Sequence, residues 1–149
     1  DADRPRLWSV HGAIGRPPGL IRGTASAIFR YVTKYRIVDP TVDGAVRMGK
    51  ALASPVRVRA LEALRQRELC LCELVDLFGT APSTMSKHMS LLADVGLVRS
   101  RRAGRWTYYS LPTERPDPVD RALDLLDLMT AADPVVKADW VKAGKLACR

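Results

Sequence analysis

Cys70 and Cys72 stand one residue apart in "ELCLCELVDLFG", the stretch from Glu68 to Gly79. Two thiols so close can do three different things. They can fill a core, because cysteine is among the most buried residue types. They can hold a soft ion, because thiolates are soft ligands and the start of a helix favours the thiolate form. They can report redox state, although a C-x-C disulfide closes a very small ring. On a regular helix, positions i and i+2 point about 200° apart. One thiol is then expected towards solvent, and joint capture of one ion would require the first helical turn to bend or unwind.

A second group of residues carries charge and hydroxyls. "STMSKHMS" places Ser83, Thr84, Ser86, Lys87 and His88 at the start of an amphipathic stretch. Hydroxyls and backbone N–H groups at a helix start suit phosphate oxygens. An N-cap role for Ser83 and a packing role for His88 remain open beside that reading. Further on, Arg99, Arg101, Arg102 and Arg105 fall within seven residues with no acid among them. Like charges on so short a ribbon repel unless a polyanion neutralises them, and a phosphate backbone does so with release of counterions.

These residues need elements to position them. Thr41 to Leu52 carries Val42, Ala45, Met48 and Leu52 at helical spacing. "SPVRVRALEALRQ" opens with Ser54 as N-cap and Pro55 at the first helical position, and Val58, Leu61 and Leu64 line one face. "CLCELVDLFG" reads as a short helix stopped at Gly79. The next helix runs from Ser83 to a stop at Gly96, with Met85, Met89 and Leu92 inward. Leu97–Arg101 and Trp106–Leu111 flank "RAGR" as a hairpin with Gly104 at its tip. Asp117 and Pro118 start a last amphipathic helix striped by Val119, Ala122, Leu123, Leu126 and Met129. A weak helix around Trp140 is expected in the tail.

The 149 residues carry a formal net charge of +8. The charge is uneven: residues 1–40 hold +4, residues 41–105 hold +5 and residues 106–149 hold −1. A basic head and a near-neutral end suit a polyanion at one and a protein contact at the other. Three cysteines, two as C-x-C, are not a disulfide framework, which places the thiols in a reducing cytoplasm. No apolar run approaches the roughly 18 residues of a membrane span. No nucleophile–base pair, phosphate loop or acidic dyad stands in a suitable context, so an enzyme is not expected.

Helix, glycine turn, helix and basic hairpin come in the order of a winged helix-turn-helix. The blocks "ALASPVRVRALEAL", "APSTMSKHMSLLADVGLV" and "SRRAGRWTYYSL" together resemble the ArsR/SmtB family of metal-responsive repressors, over roughly residues 45–129. The resemblance implies a mainly α, dimeric fold with a small β-hairpin wing. Residues 41–131 would be the DNA-binding and dimerisation domain, 1–40 a basic extension and 132–149 a C-terminal tail. It implies operator DNA as partner, with Ser83, Thr84, Ser86, Lys87, His88, Arg102 and Arg105 as contacts. A homodimer would join through the first and last helices of the domain.

The resemblance also implies an inducer. "ELCLCEL" is similar to the arsenic-sensing motif of the family, so Cys70 and Cys72 are the expected ligands of trivalent arsenic or antimony. The family often carries a third cysteine where this chain has Val75. Cys148, a small thiol, a hydroxide or a methyl group already on the arsenic could complete the site, the last pointing to methylarsenite. Zinc is disfavoured, because the last helix of the domain lacks the family's histidines. The alternative is a winged-helix factor with a redox or non-metal signal.

Overall fold

The computed structural model describes residues 40–147, with the basic extension and Cys148 outside them. Thr41 caps helix α1, Val42–Leu52, its hydroxyl accepting from the Gly44 N–H at 3.0 Å. Its inward face is Gly44, Met48 and Ala51, an i, i+4, i+7 set, whereas Val42 is 84% exposed. The expected stripe through Val42 and Ala45 is therefore rotated. Ser54 precedes α2, Pro55–Gln66, as anticipated, although its side chain makes no capping hydrogen bond.

Helix α2 is the centre of the molecule. Ala60, Leu61, Ala63 and Leu64 are buried, and so are the polar Arg57 and Glu62. A helix hidden on nearly every side needs partners all round. Arg57 donates to the Ala51 carbonyl at 2.5 Å and the Lys50 carbonyl at 2.8 Å, closing the C-terminal end of α1. Arg65 lies 3.0 Å from the buried Glu62 carboxylate and donates to the Leu123 carbonyl.

Strand β1, Leu69–Cys70, leads directly into α3, Leu71–Phe78. Gly79 ends α3 at φ 63°, where glycine avoids a Cβ clash, and donates to the Val75 carbonyl. Helix α4, Pro82–Asp94, follows after a tight turn, with Met85, Met89 and Leu92 fully buried as their spacing required. It starts earlier than Ser83: Ala81 is the N-cap and Pro82 the first helical residue. The capping role weighed for Ser83 therefore falls away.

Strands β2, Arg99–Ala103, and β3, Trp106–Ser110, form the expected hairpin, turning through Gly104 at φ 58° and Arg105. The sheet has a third member that was not anticipated: β1 adds to β3, giving the antiparallel order β1-β3-β2. Helix α5, Asp117–Thr130, buries Val119, Leu123 and Leu126, with Pro116 rather than Asp117 as its N-cap. The stretch around Trp140 folds as α6, Pro134–Ala143, and docks on α2. There Arg59 grips the buried Asp139 at 2.6 and 2.8 Å, and the Trp140 indole donates to the Glu62 carbonyl at 2.9 Å.

Candidate nucleic-acid interface and thiol site

The two cysteines are not both on the helix. Cys70 is the N-cap of α3, with extended backbone (φ −79°, ψ 162°), and Cys72 is the second residue of the helix. That difference cancels the separation that regular helical spacing would impose. The Cα atoms lie 5.4 Å apart and the two sulfurs are bonded to each other. Convergence of the thiols therefore needs no unwinding of α3, which corrects the expectation drawn from i, i+2 spacing. Cys70 is fully buried and Cys72 half-buried, so neither thiol lies fully towards solvent.

Cys70 acts as a capping residue in place of serine. The Glu73 N–H donates to Cys70 Sγ at 3.4 Å, and the Cys70 N–H donates to Glu73 Oε2 at 2.7 Å. This is a capping box, and "C-x-x-E" carries its signature with cysteine at the serine position. The buried Glu73 carboxylate also takes Arg67 Nη2 at 2.8 Å. The same guanidinium reaches the carbonyls of Ala143 and Leu146, at 2.7 and 3.1 Å. The thiol turn is thus tied to the end of the described chain through two charged residues, Glu73 and Arg67, that sequence reading did not single out.

The turn is tied to the wing as well. Cys70 pairs with Tyr108 and Leu69 with Tyr109 across β1 and β3. Glu68 makes a two-pronged ion pair with Arg101 on β2, with Nε to Oε2 at 2.7 Å. Arg101 also lies 4.5 Å from the centre of the Tyr108 ring. The guanidinium holds the Glu68 carboxyl below the usual carboxylate range, mainly through the hydrogen bond. One arginine of the basic ribbon is therefore balanced within the fold. Arg102 and Arg105 remain exposed at the tip, with Arg105 stacked 4.7 Å over Trp106.

At the start of α4, Ser83, Thr84 and Lys87 are exposed and Ser86 is half-buried. His88 is turned partly inward, where its Nδ1 accepts from Arg57 Nη1 at 3.1 Å. Burial first, and then the Arg57 charge, push the imidazole below its ordinary value. The neutral ring with its proton on Nε2 suits that arrangement. Among the described residues, no three His, Cys, Asp or Glu side chains are grouped to hold a metal ion. No helix among them is long and apolar enough to cross a membrane.

A helix, a tight turn, a second helix with an exposed polar start and a basic hairpin beside it make a winged helix-turn-helix. The chain belongs to the ArsR family of bacterial regulatory proteins. The family's model matches residues 54–100. An arsenical resistance operon repressor of Staphylococcus xylosus is 36% identical over 78 residues, covering 52% of this chain and 75% of the repressor. An arsenic resistance transcriptional regulator of Pseudomonas putida is 39% identical over 75 residues, covering 50% of this chain, which spans 59% of that relative's length. Among solved structures, a homodimeric winged helix-turn-helix DNA-binding domain from Mycobacterium bovis matches with a TM-score of 0.52 at 29% identity, covering 62% of this chain and 83% of that one.

Proposed function

We propose that this chain is a dimeric, cytoplasmic repressor that binds operator DNA and is released when trivalent arsenic or antimony, methylarsenite included, bridges Cys70 and Cys72. The observation that carries the reading is the convergence of the two sulfurs at a residue that is also a member of the wing sheet. An ion drawn between the thiols acts on the N-cap of α3, and the same residue is paired with Tyr108 of the wing. We place the coupling at this shared residue: the inducer binds more tightly to a state in which wing and reading helix no longer match the DNA together. Arsenic-resistance regulators among the relatives support the class of inducer.

Operator contacts are assigned to Ser83, Thr84, Ser86 and Lys87 at the start of α4 and to Arg102 and Arg105 on the wing. His88 serves first as the anchor of α4 on Arg57, with its Nε2 edge as the remaining group for DNA. Dimerisation is assigned to α5 and α1, where Leu128, Met129, Leu125, Val42 and Val46 are exposed in a small domain. Residues 41–131 form the reading and pairing unit, with 1–40 a basic extension and 132–149 a tail whose helix α6 braces α2. The chain performs no catalysis.

The bonded sulfurs favour a second reading, a thiol–disulfide switch with no metalloid. Fluorescence anisotropy of the reduced protein on its own promoter separates the two. Arsenite, methylarsenite, antimonite, cadmium and peroxide are added in separate titrations. Release by the trivalent metalloids at near-stoichiometric amounts is expected. Release by peroxide alone would replace the metalloid reading with the redox one.

A further inference from the structure

A cleft of about 260 Å³ opens beside the thiol pair, lined by Leu71, Cys72, Val75 and Asp76 of α3, Pro82 of α4, and Arg105, Trp106 and Thr107 of the wing. Its walls come from the three elements that must act together on DNA. Cys72 is part of its lining and Cys70 lies buried behind the helix start. Val75 is one of its apolar walls. We propose that this cleft is a subsite for the organic group of a trivalent arylarsenical whose arsenic bridges Cys70 and Cys72. The proposal rests on the two-thiol reading above and adds a preference among its ligands.

The chemistry is a condensation. An arylarsonous acid, with one As–C bond and two As–OH groups, exchanges both hydroxyls for the two cysteine sulfurs. Two As–S bonds form, two As–O bonds break, and the thiol protons leave with the hydroxyls as two waters. Arsenic stays trivalent and keeps its As–C bond. The pair must enter this step as dithiol, so the disulfide form first exchanges with two molecules of a low-molecular-weight thiol, which leave as their own disulfide.

Size and lining then select the organic group. A cavity of roughly 150 Å³ with apolar walls accepts benzene. A phenyl ring therefore fits the cleft, with Leu71, Val75, Pro82 and Trp106 as its apolar contacts, while a methyl group leaves most of it unfilled. Burial of apolar area favours the larger group, and even one methylene in an apolar pocket is worth on the order of tenfold. Arg105, stacked over Trp106, lines the cleft together with that ring, so the wing tip adjoins whatever enters.

The full chain, reduced with a phosphine and desalted without oxygen, is titrated with arsenite, methylarsonous acid and phenylarsonous acid. Tryptophan fluorescence reads binding, and residual thiols are counted at saturation. Phenylarsonous acid is expected to bind at least tenfold tighter than methylarsonous acid. Val75→Phe on α3 and Thr107→Trp on the wing, which add bulk to the lining of the cleft, should cut phenyl affinity at least tenfold more than methyl affinity; circular dichroism checks that each is folded. Methyl and phenyl ligands of equal affinity, or equal losses in a folded variant, would overturn the subsite and leave the two-thiol site standing. Failure of all three ligands to consume two thiols would overturn both.

Discussion

Cys70 holds two positions at once, as the cap of a helix and as a member of the sheet that carries the wing. Serine keeps the first of these, because its hydroxyl accepts the Glu73 N–H as readily as the sulfur does. Under reducing conditions Cys70→Ser should unfold within about 1 kcal/mol of the parent, and Cys70→Ala should lose about 1 kcal/mol more than serine, both read from urea denaturation. His88 gives a separate test. Its depressed imidazole favours the neutral form in the fold, so its contribution is complete above the unfolded value of about 6.5 and is lost as the pH falls from there towards the folded value. The urea midpoint should drop more between pH 7 and about 5.5 in the parent than in His88→Gln. The chemistry of these residues was legible in the sequence, but the meeting of the thiols was not. Helical spacing separates two thiols only when both lie on the helix, and the cap residue lies outside it.

At the scale of elements, the wing is two kinds of arginine on one hairpin. Arg101 is balanced by Glu68, while Arg102 and Arg105 are exposed at the turn. Arg102→Ala and Arg105→Ala should each weaken operator binding across sequences and reduce the slope of log affinity against log salt by about 1. Arg101→Ala should leave more of that slope intact and loosen the β1 edge instead. Anisotropy titrations at several salt concentrations separate these outcomes. The hairpin could be read from its aromatic and β-branched residues around Gly104. Strand β1 could not, because two residues carry no period and its pairing with β3 joins positions nearly 40 apart. The ion pair between Glu68 and Arg101 follows from that pairing and was hidden with it.

At the scale of the molecule, α2 supports everything else. Arg57 fastens α1 and α4 to it, Arg65 fastens α5, and Arg59 fastens α6. The order of helices, turn and wing was enough to recognise the fold, because each element carried its own start and stop signals. The docking of α6 was not legible, since it depends on polar contacts such as Arg59 to Asp139 and Lys142 to the Leu77 carbonyl, across 65 to 80 residues. The exposed side of α5 is the expected place for a second copy. Leu128→Asp, at a side chain 84% exposed, should leave folding unchanged and shift the protein to monomer in sedimentation velocity, with a matching loss of operator affinity.

On the proposed function, one pair of thiols turns capture of a metalloid into loss of DNA. Anisotropy on the promoter with reduced parent, Cys70→Ser and Cys72→Ser, each titrated with arsenite and with methylarsenite, tests this coupling. All three proteins should bind DNA alike. The parent should dissociate and both variants should stay bound at metalloid concentrations that fully release it. Release of either variant at the parent's concentrations would show that the thiol pair is not the trigger.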